Sequence, residues 1–145
     1  MNDRPILLVE ADPGDVERTV TALKDSKITN PVVVARDGVE ALDYLLGTGR
    51  HAGRDASVQP AVVLLDVKLP RLSGKDVLRR IREHDRTRRT PVVMLSRSDE
   101  KEDIVATYDL GANSYVRKPV ELEAFVAAAR QLGLYWTALN EPPAR

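Results

Sequence analysis

Residues 61–66, Ala61-Val62-Val63-Leu64-Leu65-Asp66, decide the fold of this chain. An unbroken aliphatic run without polar alternation reads as a strand buried on both faces, the pattern of a parallel sheet covered by helices. The carboxylate that closes the run stands at the carboxyl end of that strand, where open α/β sheets form their ligand crevice. Two other apolar runs also close in polar residues, Ile6-Leu7-Leu8-Val9 in Glu10 and Val92-Val93-Met94-Leu95 in Ser96. A shorter run, Ser114-Tyr115-Val116-Arg117, leads into Lys118-Pro119. Parallel pairing of these strands brings Glu10, Asp66, Ser96 and Lys118 to one edge: two acids, a hydroxyl and a cation around one point.

Helical patterns fill the intervals. Asp12-Pro13 offers a cap and a first-turn proline to a helix with Val16, Val20 and Leu23 at helical spacing. Pro31 to Ala35 is a second strand, and Asp37-Gly38 opens a helix whose apolar positions are Val39, Leu42, Leu45 and Leu46. Residues 47–59 are polar, contain glycine and carry Arg50, His51 and Arg54, so they read as an exposed, mobile loop. Ser73-Gly74 precedes a helix with Val77, Leu78 and Ile81, which ends in the charged turn His84 to Arg89. Glu100 to Leu110 is a fourth helix stopped at Gly111. A fifth begins at Glu121, bears Leu122, Phe125, Val126 and Ala129, and can extend through Leu132 to Leu139. Strand and helix alternate five times, which implies a (βα)5 three-layer sandwich with a parallel sheet and right-handed crossovers.

Composition narrows the function classes. The 145 residues suit one domain with a substantial core. Lys and Arg number 22, as do Asp and Glu, so no global field recruits nucleic acid or an anionic membrane. Cysteine is absent, which excludes disulfides, thiolate metal sites and a cysteine nucleophile. No apolar stretch approaches the ~20 residues that span a bilayer, and the N-terminus lacks a signal-peptide pattern. The chain reads as cytoplasmic, with residues 1–132 forming the domain and 133–145 an extension. His51 and His84 read as solvent-exposed, and Arg86, Arg88 and Arg89 as a solvated turn.

LLVE, LLDVKLPRLSG, PVVMLS and YVRKP, in this order and spacing, resemble the receiver domain of two-component response regulators. The resemblance covers essentially the whole chain. The tail LGLYWTALNEPP also looks like the end of a subgroup of stand-alone receivers that includes partners of phytochrome-type histidine kinases. The resemblance implies a flavodoxin-like fold in which Asp66 accepts a phosphoryl group from a kinase histidine. It implies Mg²⁺ held by Glu10, Asp66 and the backbone carbonyl of Lys68, a hard ion that takes one or two carboxylates and the phosphate. Lys118 then holds a phosphoryl oxygen as a point charge, and Ser96 donates a hydrogen bond that draws in the loop after the fourth strand. Tyr115 matches the aromatic residue that moves with that loop. The peptide before Pro119 matches one that is often cis in the family.

Ala11 departs from the pattern. The family carries two consecutive acids after the first strand, and Ala11 stands where the second, a direct metal ligand, is expected. Asp12 is next, but a one-residue shift redirects the side chain, so it reads most simply as the cap of the first helix, with a metal role as the alternative. Mg²⁺ should bind more weakly, and an apo pocket with one carboxylate fewer should be more stable by about 1 kcal/mol, the scale of a one-unit pKa shift.

Simpler roles are open to the same residues. Asp66 could merely cap a turn, Lys118 could be a surface lysine, Glu10 a buried acid paired with Lys118, and Ser96 the cap of the fourth helix. Kinase contacts are expected near the first helix and the loop after the fifth strand, with Val16, Thr19, Val20 and Leu23 as candidates on the helix. Tyr108, Tyr115, Leu134, Tyr135 and Trp136 are candidates for a homodimer or partner surface, with packing onto the domain as the alternative for the tail. No output domain is visible after residue 140, so output is expected through protein contacts, without enzymatic activity beyond the chain's own phosphotransfer and dephosphorylation. Two other classes compete: a degenerate receiver working as a phosphorylation-independent interaction module, and a small-molecule enzyme or flavin binder on the same fold. The second lacks a Gly-rich phosphate cradle, since residues 10–14 are acidic.

Overall fold

The computed structural model describes residues 3–97, 101–118 and 121–143. Five strands, β1 (Ile6–Val9), β2 (Val32–Ala35), β3 (Val62–Asp66), β4 (Val92–Ser96) and β5 (Ser114–Arg117), form one sheet in the order β2-β1-β3-β4-β5. All four pairings are parallel. The helices between and after them are α1 (Pro13–Asp25), α2 (Gly38–Leu46), α3 (Gly74–Glu83), α4 (Lys101–Asp109) and α5 (Leu122–Leu134). The expected start of α4 at Glu100, the Lys118–Pro119 peptide and residues 119–120 of the loop after β5, where kinase contacts are expected, fall outside the described residues.

Alternation along the strands explains the three layers. Leu7, Val9, Val63, Leu65, Val92 and Met94 pack on Ala41, Leu42 and Leu45 of α2 and Val77, Leu78 and Ile81 of α3. Their neighbours Ile6, Leu8, Val62, Leu64, Val93 and Leu95 pack on Val16 and Leu23 of α1, with Leu132 of α5 against them. Both faces of β1, β3 and β4 are therefore apolar, which is why these strands read as continuous runs. The helices start where the chain supplies caps: Asp12, Asp37 and Ser73 accept from the backbone N–H groups of Asp15, Glu40 and Asp76.

Three expectations need correction. The segment of residues 47–59 is pinned. The Arg54 guanidinium stacks over Tyr44 at 4.0 Å and bonds the carbonyls of Tyr44 and Val58. Gln59 donates to the carbonyls of Leu45 and Ala56, and Ala56 is buried. His51 is half-buried edge-on to Tyr44, with ring centroids 5.2 Å apart, whereas His84 is exposed. Most of the segment is exposed as expected, Thr48, Arg50, Asp55 and Ser57 included, but Arg54 and Gln59 turn inward to satisfy backbone carbonyls, which composition cannot reveal.

Val16, Thr19 and Leu23 are buried, so the helical stripe proposed as a kinase surface is the core face of α1. The exposed residues of α1 include Glu17, Thr21 and Lys24.

At the other end of the chain, α5 continues past residue 132 into a π-helical turn, Tyr135–Leu139. Trp136 is half-buried against the α1-side core, while Leu134, Tyr135 and Leu139 are exposed. Tyr135 meets the Trp136 ring edge-on at 4.9 Å.

Candidate functional site

The carboxyl ends of β1, β3, β4 and β5 converge because register aligns them. Val9 pairs with Leu65, Asp66 with Leu95, and Ser96 with Arg117, so Glu10, Asp66, Ser96 and Lys118 emerge side by side. The Glu10 N–H bonds the Ala35 carbonyl at 3.0 Å, and the Lys118 N–H bonds the Ser96 carbonyl at 2.6 Å. After Asp66 the loop folds back, with the Gly74 N–H donating to the Val67 carbonyl at 2.9 Å. A Cβ at Gly74 would collide with the Asp66 carbonyl oxygen and lie 2.8 Å from Val67 Cα. Glycine is what lets α3 begin this close to the Asp66 backbone.

Lys118 is the centre of charge. Its side chain is buried, and Nζ bonds Glu10 Oε1, lies 3.1 Å from Asp15 Oδ2 and 3.3 Å from Asp66 Oδ2. The second Glu10 oxygen accepts from the Asp12 N–H at 3.2 Å. Burial raises the Glu10 carboxyl; Lys118 opposes this, but the adjacent Asp66 adds to it, and the balance pushes Glu10 up to about 7. Burial alone would lower the Lys118 ammonium, yet its carboxylate neighbours outweigh that and hold it above the ordinary lysine value. Ser96 is buried at the end of β4. Asp66 is the most accessible of the three carboxylates around Lys118, at 14% against 3% and 2% for Glu10 and Asp15. An incoming reagent therefore meets Asp66 first.

The other sequence-nominated residues lie around this edge. Asp12 is exposed and caps α1, accepting from the Asp15 N–H at 3.2 Å. Lys68 is exposed in the loop after β3. Tyr115 is half-buried on β5 against the core on the α2 and α3 face, and Tyr108 is exposed on α4. Among the described residues, no three acidic or histidine side chains are disposed to hold a metal. Glu10 and Asp66 remain a hard-oxygen pair, which fits a cation that keeps most of its waters.

Sequence reasoning missed Asp15, Arg18 and Arg97. Asp15 is buried on the first turn of α1 and bonds Arg18, Lys118 and Arg97, the last at 3.1 Å from both carboxylate oxygens. Burial raises the Asp15 carboxyl, but the three cations prevail and hold it below the usual carboxylate range. Arg18 also lies over the Phe125 ring of α5 at 5.5 Å. The one available signal was an acid placed within the apolar face of α1, beside Val16.

A cavity of about 460 Å³ opens at the opposite end of the sheet, beside Arg4, Pro60, Thr90 and Pro91. It shares no residue with the Asp66 cluster.

Comparison with known proteins bears on the family and the fold. The family model described as the response regulator receiver domain matches residues 6–130. Response regulator Rcp1 of Synechocystis sp. is 32% identical over 139 residues, covering 96% of this chain and 92% of Rcp1. The crystal structure of its Mn(2+)-bound form superposes with a TM-score of 0.89 at 30% identity, covering 97% and 99% of the two chains. The phosphorylated cyanobacterial phytochrome response regulator RcpA gives 0.90 at 33% identity, with coverage of 97% and 99%. The bacteriophytochrome response regulator RtBRR gives 0.78 at 51% identity, covering 99% of this chain and 85% of RtBRR.

Proposed function

The chain belongs to the response regulator receiver family, and on that premise we propose that Asp66 accepts a phosphoryl group from the phosphohistidine of a sensor kinase. The observation that carries this reading is the 3.3 Å approach of Lys118 Nζ to Asp66, beside Glu10 and Ser96 at one sheet edge. An Asp66 carboxylate oxygen forms the new bond to phosphorus as the bond from phosphorus to the histidine nitrogen breaks. Lys118 takes up negative charge on a phosphoryl oxygen, and the Ser96 hydroxyl donates to another. The movement of Ser96 draws the loop after β4 inward, Tyr115 follows, and the α4–β5–α5 face changes its protein contacts.

Glu10, Asp66 and the Lys68 carbonyl would hold a divalent cation, Mg²⁺ in the cell, whose charge neutralises the incoming phosphoryl group. Ala11 leaves that cation one carboxylate fewer. The relatives named for phytochromes support a phytochrome-type histidine kinase as the partner. Tyr108 and Tyr115, with Leu134, Tyr135 and Trp136 in the tail, form the proposed surface for a homodimer or downstream protein. The cytoplasm is the proposed compartment; no helix among the described residues is long and apolar enough to cross a membrane. Residues 1–132 form the receiver and 133–145 its extension in this reading.

A second reading is favoured by Ala11 alone: a receiver retired from phosphotransfer and used as a constitutive binding module. Intact-mass spectrometry after incubation with acetyl phosphate, with and without Mg²⁺, separates the two. The expected result is a Mg²⁺-dependent phosphoryl adduct that is lost in Asp66→Asn. No adduct at any Mg²⁺ concentration, with restoration by Ala11→Asp, supports the binding module and overturns phosphotransfer.

A further inference from the structure

We propose that Asp15 is a positioning residue for phosphoryl transfer, fixing the Lys118 ammonium against Asp66 at the edge where Ala11 has removed an acid. This rests on the reading of Asp66 as the acceptor. A lysine ammonium carries three N–H donors on a flexible four-carbon stem. Here Nζ has three carboxylate neighbours, Glu10, Asp15 at 3.1 Å and Asp66 at 3.3 Å. With Glu10 and Asp15 each taking one donor, the third remains for Asp66 and its phosphoryl oxygens. Glu10 alone is a single tether, about which the ammonium can swing; the second tether removes that freedom.

Asp15 suits this role because it is itself immobilised. It is buried on the first turn of α1, and both of its oxygens are engaged. Oδ1 accepts from Arg18 and from Arg97 at 3.1 Å, and Oδ2 accepts from Arg97 and from Lys118, each at 3.1 Å. Each oxygen thus serves two cationic donors, which fills the lone pairs of a carboxylate and leaves none directed at a metal. Asparagine has Asp15's shape but no charge and only one acceptor oxygen, and its amide N–H groups would face a cationic donor, so it cannot hold Lys118, Arg18 and Arg97 together.

The test measures initial rates of Asp66 phosphorylation by acetyl phosphate across a Mg²⁺ titration. It compares the wild-type chain, Asp15→Asn, Lys118→Ala and the double variant. Asp15→Asn is expected to react about tenfold slower at saturating Mg²⁺, because small misplacements of reacting groups cost rate steeply. Its half-saturating Mg²⁺ should stay within about twofold, and the double variant should be no slower than Lys118→Ala, since the carboxylate acts through the ammonium. Should Asp15→Asn fail to fold, Asp15→Glu, whose extra methylene displaces the oxygens, is expected to be about threefold slower. A wild-type rate in the variant used, additive losses in the double variant, or a shifted Mg²⁺ requirement with an unchanged maximal rate overturns the inference while leaving the acceptor reading intact. An unphosphorylated wild-type chain overturns both.

Discussion

The Lys118 ammonium stands between Glu10 on the end of β1 and Asp66 on the end of β3, bonded to the first and 3.3 Å from the second. One cation therefore neutralises two acids from neighbouring strands in a buried setting. Replacing Lys118 with Met removes the cation and keeps the bulk. Asp15 retains Arg18 and Arg97, but Glu10 is left buried and unpaired. The expected cost is about 3 kcal/mol at pH 8, the scale for breaking a buried pair. It should shrink at pH 6, where Glu10 escapes by taking up a proton. Urea unfolding of Lys118→Met and wild type at the two pH values checks this; an equal loss at both would refute the pairing of Glu10 with Lys118.

Glu10 also sets a slope in stability against pH. Its carboxyl is raised from 4.5 to about 7 in the folded chain. Between those values the folded state holds a proton that the unfolded state has released, so stability falls as pH rises through the window. Below about 4.5 the contribution is complete, and above about 7 it is gone, a change on the order of 3 kcal/mol. Asp15 acts in the opposite sense: its carboxyl is lowered from 3.8, so its contribution is present above that value and lost as pH falls below it. Glu10→Gln should flatten the slope between pH 4.5 and 7 and leave the acid limb unchanged, as measured by unfolding free energies across pH.

What the sequence disclosed depends on how local its cause was. The strands were legible because burial on both faces writes an uninterrupted apolar run, and Asp66, Ser96 and Lys118 because each directly follows or ends such a run. Asp15 was not legible as a member of the site: its partners Arg97 and Lys118 lie 82 and 103 residues away, and only the folded register brings them to α1. Arg54 escaped for a similar reason, since a polar segment whose cations bond backbone carbonyls has the composition of a loose loop. Helical spacing on α1 identified a core stripe, and assigning Val16 and Leu23 to a partner surface mistook burial for recognition.

Arg82 is a second case of structure made by long-range contact. Its Nε donates to the Gly111 carbonyl at 2.8 Å, Nη1 to the Thr90 carbonyl at 2.7 Å, and Nη2 to Asn113 Oδ1 at 2.8 Å. The same Asn113 oxygen accepts from the Val92 N–H at 2.8 Å, so one guanidinium ties the end of α3 to the start of β4 and the turn before β5. Arg82→Ala should destabilise the fold by about 3 kcal/mol, because buried carbonyls lose charged donors. Arg82→Lys should recover less than half of that, since an ammonium cannot reach the three directions that the planar fork spans. Thermal and urea unfolding of the two variants measure the difference, and full recovery by lysine would mean that charge, rather than geometry, is what this position supplies.

Ala11 lies between Glu10, whose carboxylate is buried on Lys118, and Asp12, whose carboxylate caps α1. Asp12 cannot supply a second carboxylate without giving up its cap, and Glu10, which already serves Lys118, cannot stand in for both acids. Ala11→Asp adds a carboxylate to an edge that already holds Glu10, Asp15 and Asp66 against Lys118. Without metal, the extra like charge should cost about 1 kcal/mol, the scale of a one-unit pKa shift among clustered acids. With metal the sign reverses, because a further hard oxygen strengthens the site: half-saturating Mg²⁺ for phosphorylation should fall about tenfold, the equivalent of about 1.4 kcal/mol of binding. The paired measurement is the melting temperature with and without Mg²⁺, alongside the Mg²⁺ dependence of acetyl phosphate labelling. Opposite shifts in the two states identify position 11 as the one that trades apo stability against metal affinity. Unchanged Mg²⁺ dependence in Ala11→Asp would show that the wild-type edge already binds the cation as well as a site with both acids.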